Sequence, residues 1–252
     1  MLEVKNLSKT YNGKKVVDDV SLTIHKGQIT SFIGPNGAGK STLLSMISRL
    51  ITRDQGEVWL EGREISNCDS RELARTLAIL KQANHIELRL TIRELVAFGR
   101  FPYSQGRLKK EDEHHVDEAI AYMGLTEMQH KYLDELSGGQ KQRAYIAMVL
   151  AQDTEYILLD EPLNNLDMKH SVQIMQTLRR MVQELGKTIV LVIHDINFAS
   201  CYSDRIVALK NGQIVQQGSV EEIIDTDVLR GIYDLEIGIQ EIEGQRICTF
   251  YA

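Results

Sequence analysis

The stretch GPNGAGKST, Gly34 to Thr42, decides how the rest of this sequence is read. It fits the spacing G-x-x-x-x-G-K-[ST], after an apolar run, ITSFI, and before a helical run, TLLSMISRL. Gly34, Gly37 and Gly39 let the backbone wrap phosphate oxygens, with Pro35, Asn36 and Ala38 filling out the loop. A helix starting there offers free N–H groups and a positive dipole end to an anion. Lys40 then reaches the β- and γ-phosphates of a nucleoside triphosphate, Ser41 ligates Mg²⁺, and the Thr42 hydroxyl lies near the α-phosphate.

Two further strand ends carry matching chemistry. YILLDEP delivers Asp160 and Glu161 where open α/β sheets bind ligands. Asp160 is placed to hold the Mg²⁺ shell, and Glu161 to polarise an attacking water. LVIHD delivers His194 in the same way, as a γ-phosphate contact. A second anion site is less expected. In LSGGQKQR, Leu136 to Arg143, Ser137 precedes Gly138 and Gly139 at the start of another helical run. One nucleotide needs one cradle, and this chain has two.

The flanking pattern predicts an α/β fold. Val20, Leu22 and Ile24 alternate as on a half-buried strand, and GEVWLEGREI reads as two short strands about Glu61-Gly62. ITSFIG, YILLDE and TIVLVIHD are continuously apolar, as in a parallel sheet covered on both faces. Thr91 to Glu94 fits a capping box. Val116, Ile120 and Met123 share a helical face that Gly124 ends. Val172, Met175, Leu178, Val182 and Leu185 form another stripe, ended by Gly186. Residues ~86–150 carry no convincing strand and read as an inserted helical lobe.

The whole chain narrows the classes. Its 252 residues suit one large α/β domain with a lobe or two small ones, and a net charge of −6 disfavours nucleic acid as a partner. Cys68, Cys201 and Cys248 have no metal-ligand spacing and read as free thiols. The N-terminus lacks a signal-peptide core, and no apolar run reaches the ~18 residues of a membrane span. His114-His115 reads as solvated, and His170 as structural.

With these features placed, the chain resembles the ATP-binding subunits of ABC transporters over essentially its whole length. LSGGQ is similar to the family signature, GPNGAGKST to Walker A, and ILLDE to Walker B with its catalytic glutamate. The resemblance implies that Tyr11 stacks on adenine and that Gln82 senses Mg²⁺ and the attacking water. It makes Ser137, Gly138, Gly139 and Gln140 the signature contacts, Asp167 the residue of a loop crossing a dimer interface, and His194 the switch histidine. Asn164-Asn165 departs from the small Ser-Ala pair of many members. The implied fold is a P-loop NTPase (RecA-like) core with an N-terminal antiparallel β subdomain (1–85 and 151–220). A helical subdomain (86–150) is inserted, and a short C-terminal extension (221–252) follows.

LTIRELVAFGRFPYSQGR and DEPLNNLDMKHSVQIM narrow the resemblance to iron(III)-siderophore importers, petrobactin among their cargoes. The implied ligands are ATP and Mg²⁺. The implied partners are a second copy, with ATP sandwiched between the two, integral-membrane permease subunits, and indirectly an extracytoplasmic siderophore-binding protein. The implied place is the cytoplasmic face of the membrane. Arg100, Phe101, Pro102, Tyr103 and Arg107 are expected to line a groove for a permease helix. Cobalamin or haem importers, exporters and soluble ABC ATPases remain alternatives.

Overall fold

The computed structural model describes residues 1–82 and 88–250. Alternating apolar residues build its first layer. β1 (Leu2–Tyr11) pairs antiparallel with β2 (Lys14–Ile24), which puts Leu2, Val4, Val20, Leu22 and Ile24 out of water. β3 (Ile29–Ile33) then leads through the phosphate loop into α1 (Lys40–Ile47). β4 (Gln55–Leu60) returns to the other edge of β1, and β5 (Arg63–Glu64) pairs back onto it. Their turn holds Glu61 and Gly62 at φ 52° and 75°, the left-handed pair that a tight hairpin uses.

The second layer is a six-stranded sheet. α2 (Ser70–Thr76) precedes β6 (Leu77–Leu80). The lobe follows as α3 (Ile92–Phe98), α4 (Phe101–Ser104), α5 (Lys110–Tyr122) and α6 (Gly138–Ala151). β7 (Tyr156–Asp160), α7 (Met168–Leu185), β8 (Thr188–Val192), α8 (Ile196–Tyr202), β9 (Arg205–Lys210) and β10 (Gln213–Ser219) complete the core. The strand order is β10-β9-β3-β8-β7-β6, parallel except for the edge strand β10. The three continuously apolar runs are its central strands, β3, β8 and β7, and every residue in them is buried.

Burial on both faces explains those runs. Phe32, Tyr156, Leu158, Val190 and Val192 face α1 and the antiparallel sheet. Ile33, Ile157, Leu159, Ile189 and Leu191 face a larger core shared with α3, α5, α6 and α7. Each such side chain, fully removed from water, contributes about 1.5–3 kcal/mol before chain entropy is subtracted. The phosphate loop, Asp160-Glu161 and His194 all emerge at the C-terminal ends of β3, β7 and β8.

Some local expectations shift. The buried face of α7 is Ser171, Ile174, Met175, Leu178, Met181 and Val182. Val172 is only half-buried, and Leu185 is exposed, so the face sits one residue round from the expected stripe. Of the histidine pair on α5, His114 is solvated, whereas His115 is largely covered. The three cysteines are free thiols, Cys248 buried. The short C-terminal extension is folded onto the core. α9 (Val220–Ile223), α10 (Thr226–Tyr233) and the hairpin β11 (Gly238–Ile242)–β12 (Gln245–Thr249) bury Ile223, Ile224, Leu229, Ile232 and Cys248 in the larger core. Among the described residues, no helix is long and apolar enough to cross a membrane.

Candidate functional site

The phosphate loop wraps a cavity of about 190 Å³ lined by Val16, Asn36, Lys40, Ser41, Thr42, Glu161 and His194, among others. Lys40 is buried, and its ammonium folds back on the loop, donating to Gly34 O at 2.7 Å and Pro35 O at 3.0 Å. Burial pulls its pKa down, opposed by the charges of Glu161 and Asp160. A triphosphate offers this cation better partners than two loop carbonyls.

Beside it, Ser41 Oγ donates to Asp160 Oδ1 at 2.8 Å. Burial pushes the Asp160 carboxyl up, partly offset by the Ser41 hydrogen bond. A buried carboxylate and a hydroxyl, both hard oxygen donors, fit Mg²⁺, which binds through one or two protein oxygens plus substrate phosphates. Among the described residues no group of three or more His, Cys, Asp or Glu is disposed to cage a metal alone. The donor set therefore suits an ion that arrives with the nucleotide.

Glu161 is the best-connected group. Its Oε2 accepts from Gln82 Nε2 at 2.5 Å and also from Asn164 Nδ2. His194 Nε2 lies 2.6 Å from its Oε1. A carboxylate only accepts, so the His194 tautomer facing it carries the proton on Nε2. Glu161 also has φ 51°, a left-handed conformation that disfavours side chains with a Cβ. Two backbone bonds hold it there: Glu161 N–H to Val192 O at 3.1 Å and Asn164 N–H to Glu161 O at 3.2 Å. The strained residue is thus over-determined, as at many reactive centres.

The signature stretch lies apart. Ser137 caps α6: Gln140 N–H donates to its Oγ at 3.3 Å, and Ser137 N–H donates to Gln140 Oε1 at 3.0 Å. Gln140 is thereby committed to the cap. Among the described residues nothing accepts from the Gly138 and Gly139 amides. Gly139 is buried against His170: a Cβ there would lie 2.4 Å from the imidazole Cδ2. His170 in turn is tied by Nδ1 and backbone N–H to Asp167 Oδ1, at 2.7 and 2.8 Å. Those bonds, led by the backbone N–H, lower the pKa of Asp167. Asp167 is the N-cap of α7.

The structure therefore brings together Lys40, Ser41, Gln82, Asp160, Glu161 and His194. It does not bring Ser137, Gly138, Gly139, Gln140, Asp167 or Tyr11 to the lining of that cavity. Tyr11 is 44% exposed at the end of β1, with the Lys9 ammonium over its ring. The segment directly after Gln82 lies outside the described residues. In the expected permease groove, Phe101 is 59% exposed, but Arg100 is buried and spent on Asp112 and Ala151 O. The Arg100 and Arg75 guanidiniums both lie over the Tyr103 ring, 4.0 and 4.9 Å from its centroid. Arg100 is thus withdrawn from that surface, and Phe101 is its exposed apolar residue.

Sequence reasoning missed Asn164 as a Glu161 partner and His170 as the wall under Gly139. The i, i+3 spacing from Glu161 to Asn164 was a usable signal for the first. Asn165, at φ 60°, is a residue type that tolerates the left-handed region.

Comparison with known proteins is consistent with this geometry. The family model described as ABC transporter matches residues 17–164. Over 252 residues, all of both chains, the sequence is 66% identical to the petrobactin import ATP-binding protein YclP of Bacillus subtilis (strain 168). It is 53% identical to the petrobactin import ATP-binding protein FatE of Bacillus anthracis, covering 95% of this chain and 96% of that one. A dimeric ATP-binding cassette in a post-hydrolysis state, bound to ADP and Pi, superposes with a TM-score of 0.77 at 32% identity. That match covers 87% of this chain and 99% of the other.

Proposed function

The chain belongs to the ABC transporter family, and on that premise we propose that it is the ATPase of an iron(III)-siderophore importer whose cargo is petrobactin. The ATP-binding subunit hydrolyses ATP to ADP and phosphate and powers a separate permease. The observation that carries the arrangement is the separation of two half-sites: a phosphate cavity with Glu161 and His194, and elsewhere a signature whose Gly138 and Gly139 amides have no protein acceptor among the described residues.

Two copies then meet head to tail, each signature closing the other's phosphate loop. Lys40 leaves Gly34 O for the β- and γ-phosphates, Thr42 lies by the α-phosphate and Tyr11 stacks on adenine. Ser41, Asp160 and Gln82 would hold Mg²⁺, which would supply charge neutralisation at the phosphates. Glu161 orients the attacking water and takes its proton, while His194 contacts the γ-phosphate. Ser137, Gly138 and Gly139 of one protomer cap the γ-phosphate bound by its partner, and Asp167 lies where the two copies meet. ATP favours the closed dimer, and its hydrolysis reopens it. The subunit sits peripherally on the cytoplasmic face, bound to the permease and only indirectly linked to an extracytoplasmic siderophore-binding protein.

Deleting the gene is expected to abolish uptake of radiolabelled iron(III)-petrobactin, with wild type but not Glu161→Gln restoring it. Undiminished uptake in the deletion strain would remove petrobactin as the cargo. For the permease contact, the Phe101→Ala/Tyr103→Ala double variant is expected to lose most co-purification with the permease while keeping nucleotide binding. Equal recovery of permease with both proteins would eliminate this surface as the docking groove.

A further inference from the structure

We infer that Tyr233 is a positioning residue for the phosphate loop, and that the C-terminal segment braces the nucleotide site. Gly34 opens that loop at the end of β3. At φ 135° it lies so close to β9 that a Cβ would stand 1.9 Å from Leu209 O. Its N–H donates to the Tyr233 hydroxyl at 3.1 Å, and its carbonyl accepts from Lys40 at 2.7 Å. Both peptide groups flanking Gly34 are therefore pinned. When Lys40 moves to the phosphates, the carbonyl is released and Tyr233 still holds the amide.

Tyr233 is itself fixed. It is the last residue of α10, whose Leu229 and Ile232 are fully buried. Lys210, ending β9, donates to Gly231 O at 2.9 Å and to both carboxylate oxygens of Asp234 at 2.8 Å. Burial pushes the Tyr233 hydroxyl up to about 12, so it stays protonated and neutral at physiological pH. From the other side of the loop, Gly212 N–H donates to Ala38 O at 3.1 Å. The β9–β10 turn and α10 thus grip the loop at two points.

This rests on the nucleotide binding at Gly34–Thr42. Tyr233→Phe keeps the ring and removes the acceptor. Titration with fluorescent ATP and ADP analogues is expected to show both Kd values, and the KM for ATP, raised about 5- to 20-fold. The kcat should stay within about twofold, because the Glu161 cluster is built from other strands. Lys210→Met, which frees the end of α10, is expected to weaken both ligands in the same direction by about 2- to 3-fold. A lowered Tm of the nucleotide-free protein with wild-type Kd values would overturn the inference, leaving Tyr233 a packing residue. If Tyr233→Phe does not fold, unchanged Kd values in Lys210→Met overturn it equally. Failure of the wild-type protein to bind ATP would instead overturn the site reading beneath it.

Discussion

Glu161→Gln is expected to bind ATP as wild type does and to hydrolyse it about 10²–10⁴-fold more slowly, the range that a positioned general base supplies. The amide is nearly isosteric with the carboxylate, so the left-handed backbone and its two hydrogen bonds stay in place. What changes is proton affinity and the match to three neighbours. Gln82, Asn164 and His194 all converge on a carboxylate acceptor. An amide presents one oxygen and one NH2 group that only donates, so its oxygen can satisfy His194 or the other two, but it cannot take a proton from water. Hydrolysis is then the step lost, and ATP stays bound as the shared ligand. Light scattering coupled to size exclusion is expected to show a dimer in ATP-Mg²⁺ that persists for hours. A monomer under saturating ATP would contradict the arrangement of two half-sites.

Gly139→Ala is expected to cost about 10²-fold in ATPase activity, of the size that a misplacement of about 1 Å can produce. Its cause lies in one contact: the new Cβ would sit 2.4 Å from the His170 ring. That ring cannot swing away freely, because Asp167 holds it through Nδ1 at 2.7 Å. Either α6 shifts, carrying the Gly138 and Gly139 amides off their target, or the His170 ring shifts and gives up its Nδ1 contact with Asp167. Both outcomes damage the face offered to the second copy, while the cavity at Gly34–Thr42 is untouched. Monomer binding of ATP should thus survive, and ATP-driven dimerisation should fail. Removing the obstructing ring tests the cause directly, since Gly139→Ala/His170→Ala should recover much of the dimerisation lost. A Gly139→Ala variant that still dimerises at wild-type ATP concentrations would show that the contact relaxes without consequence.

How much of this was legible follows from the range of each interaction. The phosphate loop, the Thr91–Glu94 capping box and the strands β3, β7 and β8 rest on residues adjacent in the chain, and they read directly. β6 and β9 did not stand out, since LAIL and RIVALK are short apolar runs that periodicity alone cannot separate from helix. Polar β10 gave less signal still, as an edge strand half open to solvent. The face of α7 was displaced because apolar residues ring more than one side of it: Ile174 and Met181 are buried with Ser171, whereas Val172 and Leu185 are not. In the candidate site, Asp160, Glu161 and His194 stand at strand ends, and their meeting beside the phosphate loop was readable. Their supports came from elsewhere: His170 under Gly139, and Tyr233 under Gly34. No pattern in a single sequence marks a contact made across that distance.

The strand order also sets a timetable. β3 carries the phosphate loop and is complete by Ile33, yet its sheet neighbours are β8 and β9, which end at Val192 and Lys210. At about 5–20 residues per second, a ribosome needs roughly 10–35 s to make the intervening chain. For most of that interval β3 has neither flanking strand, and β8 arrives before β9. A nascent chain stalled before Thr188 would carry the whole Gly34–Thr42 sequence with neither sheet neighbour of β3 yet made.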